Sequence, residues 1–240
     1  AKGDIGWFFE ELERLCNLVH DQLLERLEII SNKKVYNFPF LMGEGVWIDS
    51  EKLSWNDKVG EVLKHGTMTI GFIGLAEALV ALRGKHHGED EESQKLGLKI
   101  IRTMREYTDK VSAETGLNYS VIATPAEGLS GRFVRLDKQR FGIIPGVTDK
   151  GYITNSYHIH VTEHIDAFSK LAFESKFQAL SPGGAISYVE VPNMQNNIDA
   201  VLEVMKFIYD HIMYAELNTK SDYCQVCGFD GEIEIKEDPD

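Results

Sequence analysis

Between residues 67 and 217, short apolar runs alternate with amphipathic helical stretches, and no other feature constrains the fold as much. Such alternation calls for parallel strands joined by crossover helices, hence an α/β protein with a doubly wound sheet or a barrel. Strands are expected at 67–73, 119–123 and 185–191, with an extended segment at 151–161. One helix should start at Leu75 and end near Gly84. A long one carries Leu96, Ile100, Met104, Tyr107 and Val111 on one face, and Gly116 stands where a left-handed residue would stop it. Further helices are expected at 126–139, 165–180 and 198–217, the last burying Ile198, Val201, Met205, Ile208 and Ile212. Ahead of these, Phe8, Leu12, Leu15, Val19, Leu23, Leu27 and Ile30 mark an amphipathic first helix, and residues 35–57 read as loop.

The net charge of −13 over 240 residues argues against nucleic acid or an anionic membrane as the main partner. It leaves room for a nucleotide held by a local cluster of donors. No apolar stretch approaches the length of a membrane span, and no signal peptide opens the chain. Three cysteines make no disulfide framework, so a reducing cytoplasm is expected. The chain starts without methionine, is in helical pattern by Trp7, and ends soon after a cysteine pair lacking a partner pair. It is therefore expected to be an internal piece of a longer protein.

The most informative stretch is Thr124-Pro125-Ala126-Glu127-Gly128-Leu129-Ser130-Gly131-Arg132, between an expected strand and an expected helix. Phosphates bind at such places because free backbone amides and the positive end of the helix dipole face the ligand. Gly128 and Gly131 would admit a close approach, Ser130 adds a hydroxyl and Arg132 a charge. The same residues also fit a capping box, with Thr124 as N-cap, Pro125 at the first helical position and Glu127 reaching back. Cys224-Gln225-Val226-Cys227-Gly228 has the form of a zinc knuckle, half of a four-cysteine site; a redox dithiol is the rival. In an extended segment His158 and His160 share a face, and Glu163 or His164 could complete a metal site; structural histidines are the plainer reading. His86 and His87 sit in a polar connection and read as solvated surface. Cys16 reads as a small core residue.

Taken in order, several segments resemble the C-terminal part of the catalytic subunit of anaerobic (class III) ribonucleoside-triphosphate reductases. Ala1-Lys2-Gly3-Asp4 resembles the boundary after that family's central strand. Thr69-Ile70-Gly71-Phe72-Ile73-Gly74-Leu75 resembles a barrel strand with its turn, and residues 124–132 resemble its threonine-proline-serine/alanine-glutamate loop. Tyr152-Ile153-Thr154-Asn155-Ser156-Tyr157-His158 and Gly183-Gly184-Ala185-Ile186 resemble later strands, and Cys224 with Cys227 the first pair of four zinc cysteines. The resemblance implies a piece of a ten-stranded glycyl-radical-type α/β barrel over residues 1–217, then half of a zinc ribbon over 218–240. It implies reduction of ribonucleoside triphosphates to deoxyribonucleotides by glycyl and thiyl radicals, with formate as reductant in many members. A radical-SAM activase would be a partner and the full protein a homodimer. Substrate phosphates would then lie on Thr124, Pro125, Ala126, Glu127, Gly128, Ser130 and Arg132, and zinc on Cys224 and Cys227, while His158 and His160 become ordinary barrel residues. No cysteine stands where the thiyl should be, and neither the glycyl-radical motif, the second zinc pair nor the N-terminal regulatory region is present. The 240 residues alone are therefore expected to be inactive. Another glycyl-radical enzyme, or a nucleotide- or zinc-binding regulatory module without catalysis, are the alternatives.

Overall fold

Asp4 opens the first helix, its carboxylate accepting the Trp7 amide at 2.9 Å, and α1 (Ile5–Ser31) follows. The computed structural model describes residues 3–160, 163–192, 194, 196–219 and 222–231. Phe8, Leu12, Cys16, Val19 and Leu23 of α1 pack on the main core. Leu15 and Ile30, expected on the same stripe, are exposed: the buried row steps to Cys16, and the helix outruns the core at its end. Residues 35–57 are irregular as expected, with single 3-10 turns at Val35–Asn37 and Ser50–Lys52 around a small cluster of Val35, Met42, Val59 and Val62. A short helix, α2 (Gly60–Leu63), ends this region.

The central unit is β1 (Thr67–Phe72), α3 (Leu75–Arg83), α4 (Glu91–Thr115) and β2 (Asn118–Ala123). β1 and β2 pair in parallel from Thr67↔Asn118 to Phe72↔Ala123. Gly116 stops α4 at a φ of +70°, as its position predicts. Leu75, Leu79, Ile100, Ile101 and Met104 bury against Ile70 and Val121, forming the main core.

A second unit comprises α5 (Gly128–Phe141), α6 (Ala167–Gln178), β3 (Ser187–Val191), α7 (Ile198–His211) and β4 (Ala215–Thr219). β3 and β4 are also parallel, from Ser187↔Ala215 to Val191↔Thr219. The two pairs join where Gly183 donates to Val121 O and Ala123 to Gly184 O, both at 2.8 Å. A Cβ on Gly183 would stand 2.7 Å from Val121 O, so only glycine lets these backbones meet. The α/β expectation therefore holds, with parallel pairing throughout this body. An antiparallel ribbon of β5 (Asp222–Tyr223) and β6 (Asp230–Gly231) follows. Among the described residues no helix is long and apolar enough to cross a membrane.

Four expectations need correction. The last long helix stops at His211 rather than 217, because Ala215 and Leu217 enter β4 and pack at strand spacing on the cluster of Leu171, Val189, Val204 and Ile212. Its buried row is Val204 with Phe207 and Ile208, while Ile198 and Met205 are more than half exposed. The 151–161 segment forms no strand over its described part. Ser156 has a φ of +40°, and the segment is tied to α3 by Gly74 N–H to Thr154 O (2.8 Å) and Leu75 N–H to Ser156 O (3.2 Å). The helix expected from 126 begins at Gly128. Residues 232–240, the end of the expected zinc-ribbon segment, lie outside the described residues.

Candidate functional site

The loop between β2 and α5 is shaped by backbone pairing that continues past the strand. Thr124 N–H donates to Phe72 O at 3.2 Å, so Thr124 still belongs to the β1–β2 ladder. Its side chain lies over Gly71, where an added Cβ would come within 2.3 Å of Thr124 Oγ1. Ala126 is buried and its amide donates to Asn155 Oδ1 at 3.0 Å. The capping box read from Thr124 and Glu127 does not form: Glu127 itself is the N-cap residue, with no side-chain cap bond. The ladder holds Thr124 back, so Pro125 precedes the helix instead of starting it. By contrast α1, α4, α6 and α7 are capped by the side chains of Asp4, Asp90, Asp166 and Asn197. Among the described residues the first amides of α5 are thus left without a side-chain acceptor, beside an unobstructed Gly128. Ser130 Oγ donates to Glu127 O at 2.7 Å and keeps its lone pairs; Glu127 and Arg132 are exposed.

Ser130 opens onto a cavity of about 590 Å³ whose walls include Asn155, His158, Lys170 and Tyr188. Beneath it lies a buried charge network. Glu77 of α3, 3% exposed, accepts from the Lys150 ammonium, from Thr154 N–H (2.9 Å) and from Thr154 Oγ1 (2.7 Å). Burial pushes the Glu77 carboxyl up, but these donors outweigh it and hold it below the usual carboxylate range. Lys150 also donates to His160 Nε2 at 2.6 Å, and the His160 ring stacks on His86 at 5.3 Å. Burial, then the Lys150 charge, lowers the His160 pKa. His86 Nε2 reaches Glu163 at 3.2 Å. On the other side Glu174, fully buried, receives His158 Nδ1 at 3.0 Å and Lys170 Nζ at 2.8 Å.

His86 and His87, read as solvated surface, are both buried. The connection between α3 and α4 folds inward, and His87 Nε2–H donates to Tyr157 O at 2.7 Å. His158 and His160 face different partners, Glu174 and Lys150, and His164 is exposed. Among the described residues no three His, Cys, Asp or Glu side chains could share a metal ion. Sequence reasoning missed Glu77, Lys150, Asn155 and Glu174. The one available signal was an acid inside the apolar run Leu75-Ala76-Glu77-Ala78-Leu79.

Cys224 and Cys227 sit in the ribbon between β5 and β6. Cys224 N–H donates to Phe229 O at 2.8 Å, Gly228 N–H returns to Cys224 O at 2.9 Å, and Gly228 has a φ of +72°. The Cys227 and Val226 amides and the Cys227 thiol all point at the Cys224 sulfur and lower its pKa. Cys16, by contrast, is buried in α1 and its thiol is pushed up to about 11, first by burial and then by Glu13.

The family model for anaerobic ribonucleoside-triphosphate reductase matches residues 1–237. The chain belongs to this family. It is 38% identical over 237 residues to the anaerobic ribonucleoside-triphosphate reductase of Escherichia coli K12, covering 98% of this chain and 33% of that relative. It is 32% identical over 228 residues to that of Enterobacteria phage T4, covering 94% of this chain and 36% of the relative. The chain thus spans about a third of the length of the curated anaerobic reductases it matches. Its fold is that of the Thermotoga maritima anaerobic ribonucleotide reductase crystallised with dATP in the specificity site, at a TM-score of 0.69 and 20% identity over 96% of this chain and 38% of the other. A further anaerobic ribonucleotide reductase structure aligns at 0.73 with 20% identity, over 96% of this chain and 37% of that one.

Proposed function

We propose that this chain supplies the substrate-phosphate wall of an anaerobic ribonucleotide reductase, which converts ribonucleoside triphosphates to deoxyribonucleotides in the cytoplasm. The supporting observation is the uncapped start of α5, at the C-terminal end of the parallel strand β2 and at the mouth of a cavity. The amides at Gly128 and Leu129 bind the phosphate, Ser130 offers its hydroxyl, and Arg132 adds charge. Thr124, Pro125 and Ala126 hold the loop in shape, and Glu127 is exposed to solvent. The parallel strands form an arc of a ten-stranded barrel, whose interior keeps water from radical chemistry. In the full-length enzyme a radical-SAM activase installs a glycyl radical, which supplies the thiyl chemistry at the ribose, and two copies form a homodimer. None of the three cysteines serves as that thiol: Cys16 is packed in α1, and the other two lie in the ribbon. These 240 residues therefore bind a nucleotide without reducing it.

Hydrogen exchange tests the reading. A ribonucleoside triphosphate should slow amide exchange at residues 128–132 and leave α4 unchanged. Nucleotide binding that protects other segments but not this one would refute the assignment.

Cys224 and Cys227 fit half of a zinc site: the turn presents both sulfurs on one side, and amide donors favour the thiolate. We assign them as one pair of a four-cysteine centre in the ribbon that follows β4. Cobalt(II) titration should give a thiolate charge-transfer band that is lost in both Cys224→Ser and Cys227→Ser. A band that survives both substitutions would place the metal elsewhere.

A further inference from the structure

Two walls of the cavity of about 590 Å³, His158 and Lys170, share a partner that is not itself a wall. Glu174 of α6 is 0% exposed, and its Oε1 receives both His158 Nδ1 at 3.0 Å and Lys170 Nζ at 2.8 Å. Burial pushes the Glu174 carboxyl up, but its bonds to His158 and Lys170 outweigh that and hold it below the usual carboxylate range. A carboxylate only accepts, so the hydrogen that joins it to the imidazole sits on Nδ1. The His158 backbone amide donates to Asn155 O at 3.1 Å, and the ring packs on Tyr157 at 5.2 Å and Tyr188 at 5.7 Å. The neutral ring is thus held in one tautomer and one orientation.

The second nitrogen is left over. Among the described residues Nε2 of His158 has no hydrogen-bond partner, and unlike Nδ1 of His20 and His87 it is not sealed in the interior. With Nδ1 turned to Glu174, the ring edge that the cavity reaches is the one carrying Nε2. Lys170, one helical turn from Glu174, already balances the buried carboxylate, so His158 is not needed as its counter-charge. A buried acid that fixes an imidazole and leaves the far nitrogen as a lone-pair acceptor is the arrangement of a general base. Ser130, at the start of α5, lines the same cavity, whose volume suits a small molecule.

Resting on the reading of the α5 start as a phosphate seat, we propose that His158 is the base that takes a proton from a sugar hydroxyl of the bound nucleotide, with Glu174 as its positioning residue. The hydroxyl first donates to Nε2. The O–H bond then opens, the proton joins Nε2, and the electron pair stays on the oxygen. The imidazolium so formed keeps Nδ1–H on Glu174, whose negative charge stabilises it. The titratable groups around the ring are Glu174 and Lys170 of α6, Tyr188 of β3 and the adjoining Tyr157, with His160, Glu163 and Glu190 further along the cavity wall.

The test is nitrogen-15 NMR of the histidine rings in the full chain, with a ribonucleoside triphosphate, its 2′,3′-dideoxy analogue and the free nucleoside as probes. Without ligand, the neutral form of His158 should carry its hydrogen on Nδ1; a hydrogen on Nε2 would overturn the proposal. The triphosphate should displace the Nε2 resonance, and the dideoxy analogue should leave it in place. Equal displacement by both nucleotides counts against a hydroxyl contact and ends the proposal. His158→Phe should weaken triphosphate binding on the order of tenfold, as for one lost hydrogen bond, without changing the affinity for the analogue. Glu174→Gln should shrink the same preference, whereas mere damage to the fold would weaken both nucleotides alike. If the triphosphate protects amides 128–132 while Nε2 does not move, the base assignment fails and the phosphate seat stands. If the free nucleoside moves Nε2 but the triphosphate leaves those amides unprotected, the His158 site stands and the phosphate-seat reading fails. The measurements on the wild type decide the matter even where a variant does not fold.

Discussion

Glu77→Ala is expected to lower the unfolding free energy by about 3–5 kcal/mol, the usual result of removing one member of a buried ion pair. The carboxylate is 3% exposed and satisfies the Lys150 ammonium, the Thr154 amide and the Thr154 hydroxyl together. Without it, Lys150 stays in a poorly solvated place with His160 as its one remaining acceptor among the described residues, and Thr154 loses the bonds that fix its segment. The damage should reach the candidate site, because the adjacent Asn155 holds the Ala126 amide and so sets the course of the loop into α5. Urea unfolding measures the first effect. Nucleotide titration at a temperature where the variant is still folded measures the second, and weaker binding is expected there. Glu77→Gln should also be strongly destabilised, since it keeps the shape but not the charge. A loss below about 1 kcal/mol in Glu77→Ala, the range of exposed ion pairs, would mean that the network contributes little.

Acid should destabilise the protein well before its carboxylates titrate, and His87 is the reason. The ring is 1% exposed, donates Nε2–H to Tyr157 O, and has no hydrogen-bond partner for Nδ1 among the described residues. Protonation would bury a charge and an unmatched donor, so burial lowers its pKa from the ordinary 6.5 to about 4. The unfolded chain therefore binds the proton first. The stabilising contribution is complete above pH 6.5 and declines as pH falls through the interval down to about 4. The slope is about 1.4 kcal/mol per pH unit and the total about 3 kcal/mol. Glu77 and Glu174, whose pKa values are lowered, add their own loss below the ordinary carboxylate value of 4.5. Unfolding free energies measured from pH 7 to 4.5 should show this slope in the wild type and a flatter profile in His87→Gln. Parallel profiles would assign the acid sensitivity to another group.

The helices that announce themselves by local periodicity and caps were legible: α1, α3 and α4 lie where their apolar spacing and the glycines at 84 and 116 put them. The errors cluster where tertiary pairing competes with local preference. The stretch after His211 continues a helical pattern, yet β3 offers a parallel partner and a buried cluster for Leu217, and strand spacing wins. At Thr124 the ladder to Phe72 displaces a capping box that the four residues alone would favour. His86 and His87 look polar in sequence, but their burial depends on Tyr157 and Glu163, some seventy residues away.

The sequence by itself determined the α/β class, the family, the position of the loop before α5, and the cysteine turn. Each of these is carried by neighbouring residues whose spacing speaks for itself. The tertiary structure alone decided that the α5 start is uncapped, that Asn155 fastens the loop from a segment 29 residues away, and that Glu77 and Lys150 meet across 73 residues. A buried charge is tolerated only when its partner arrives with it, and which residue arrives is a property of the packed chain rather than of any local stretch.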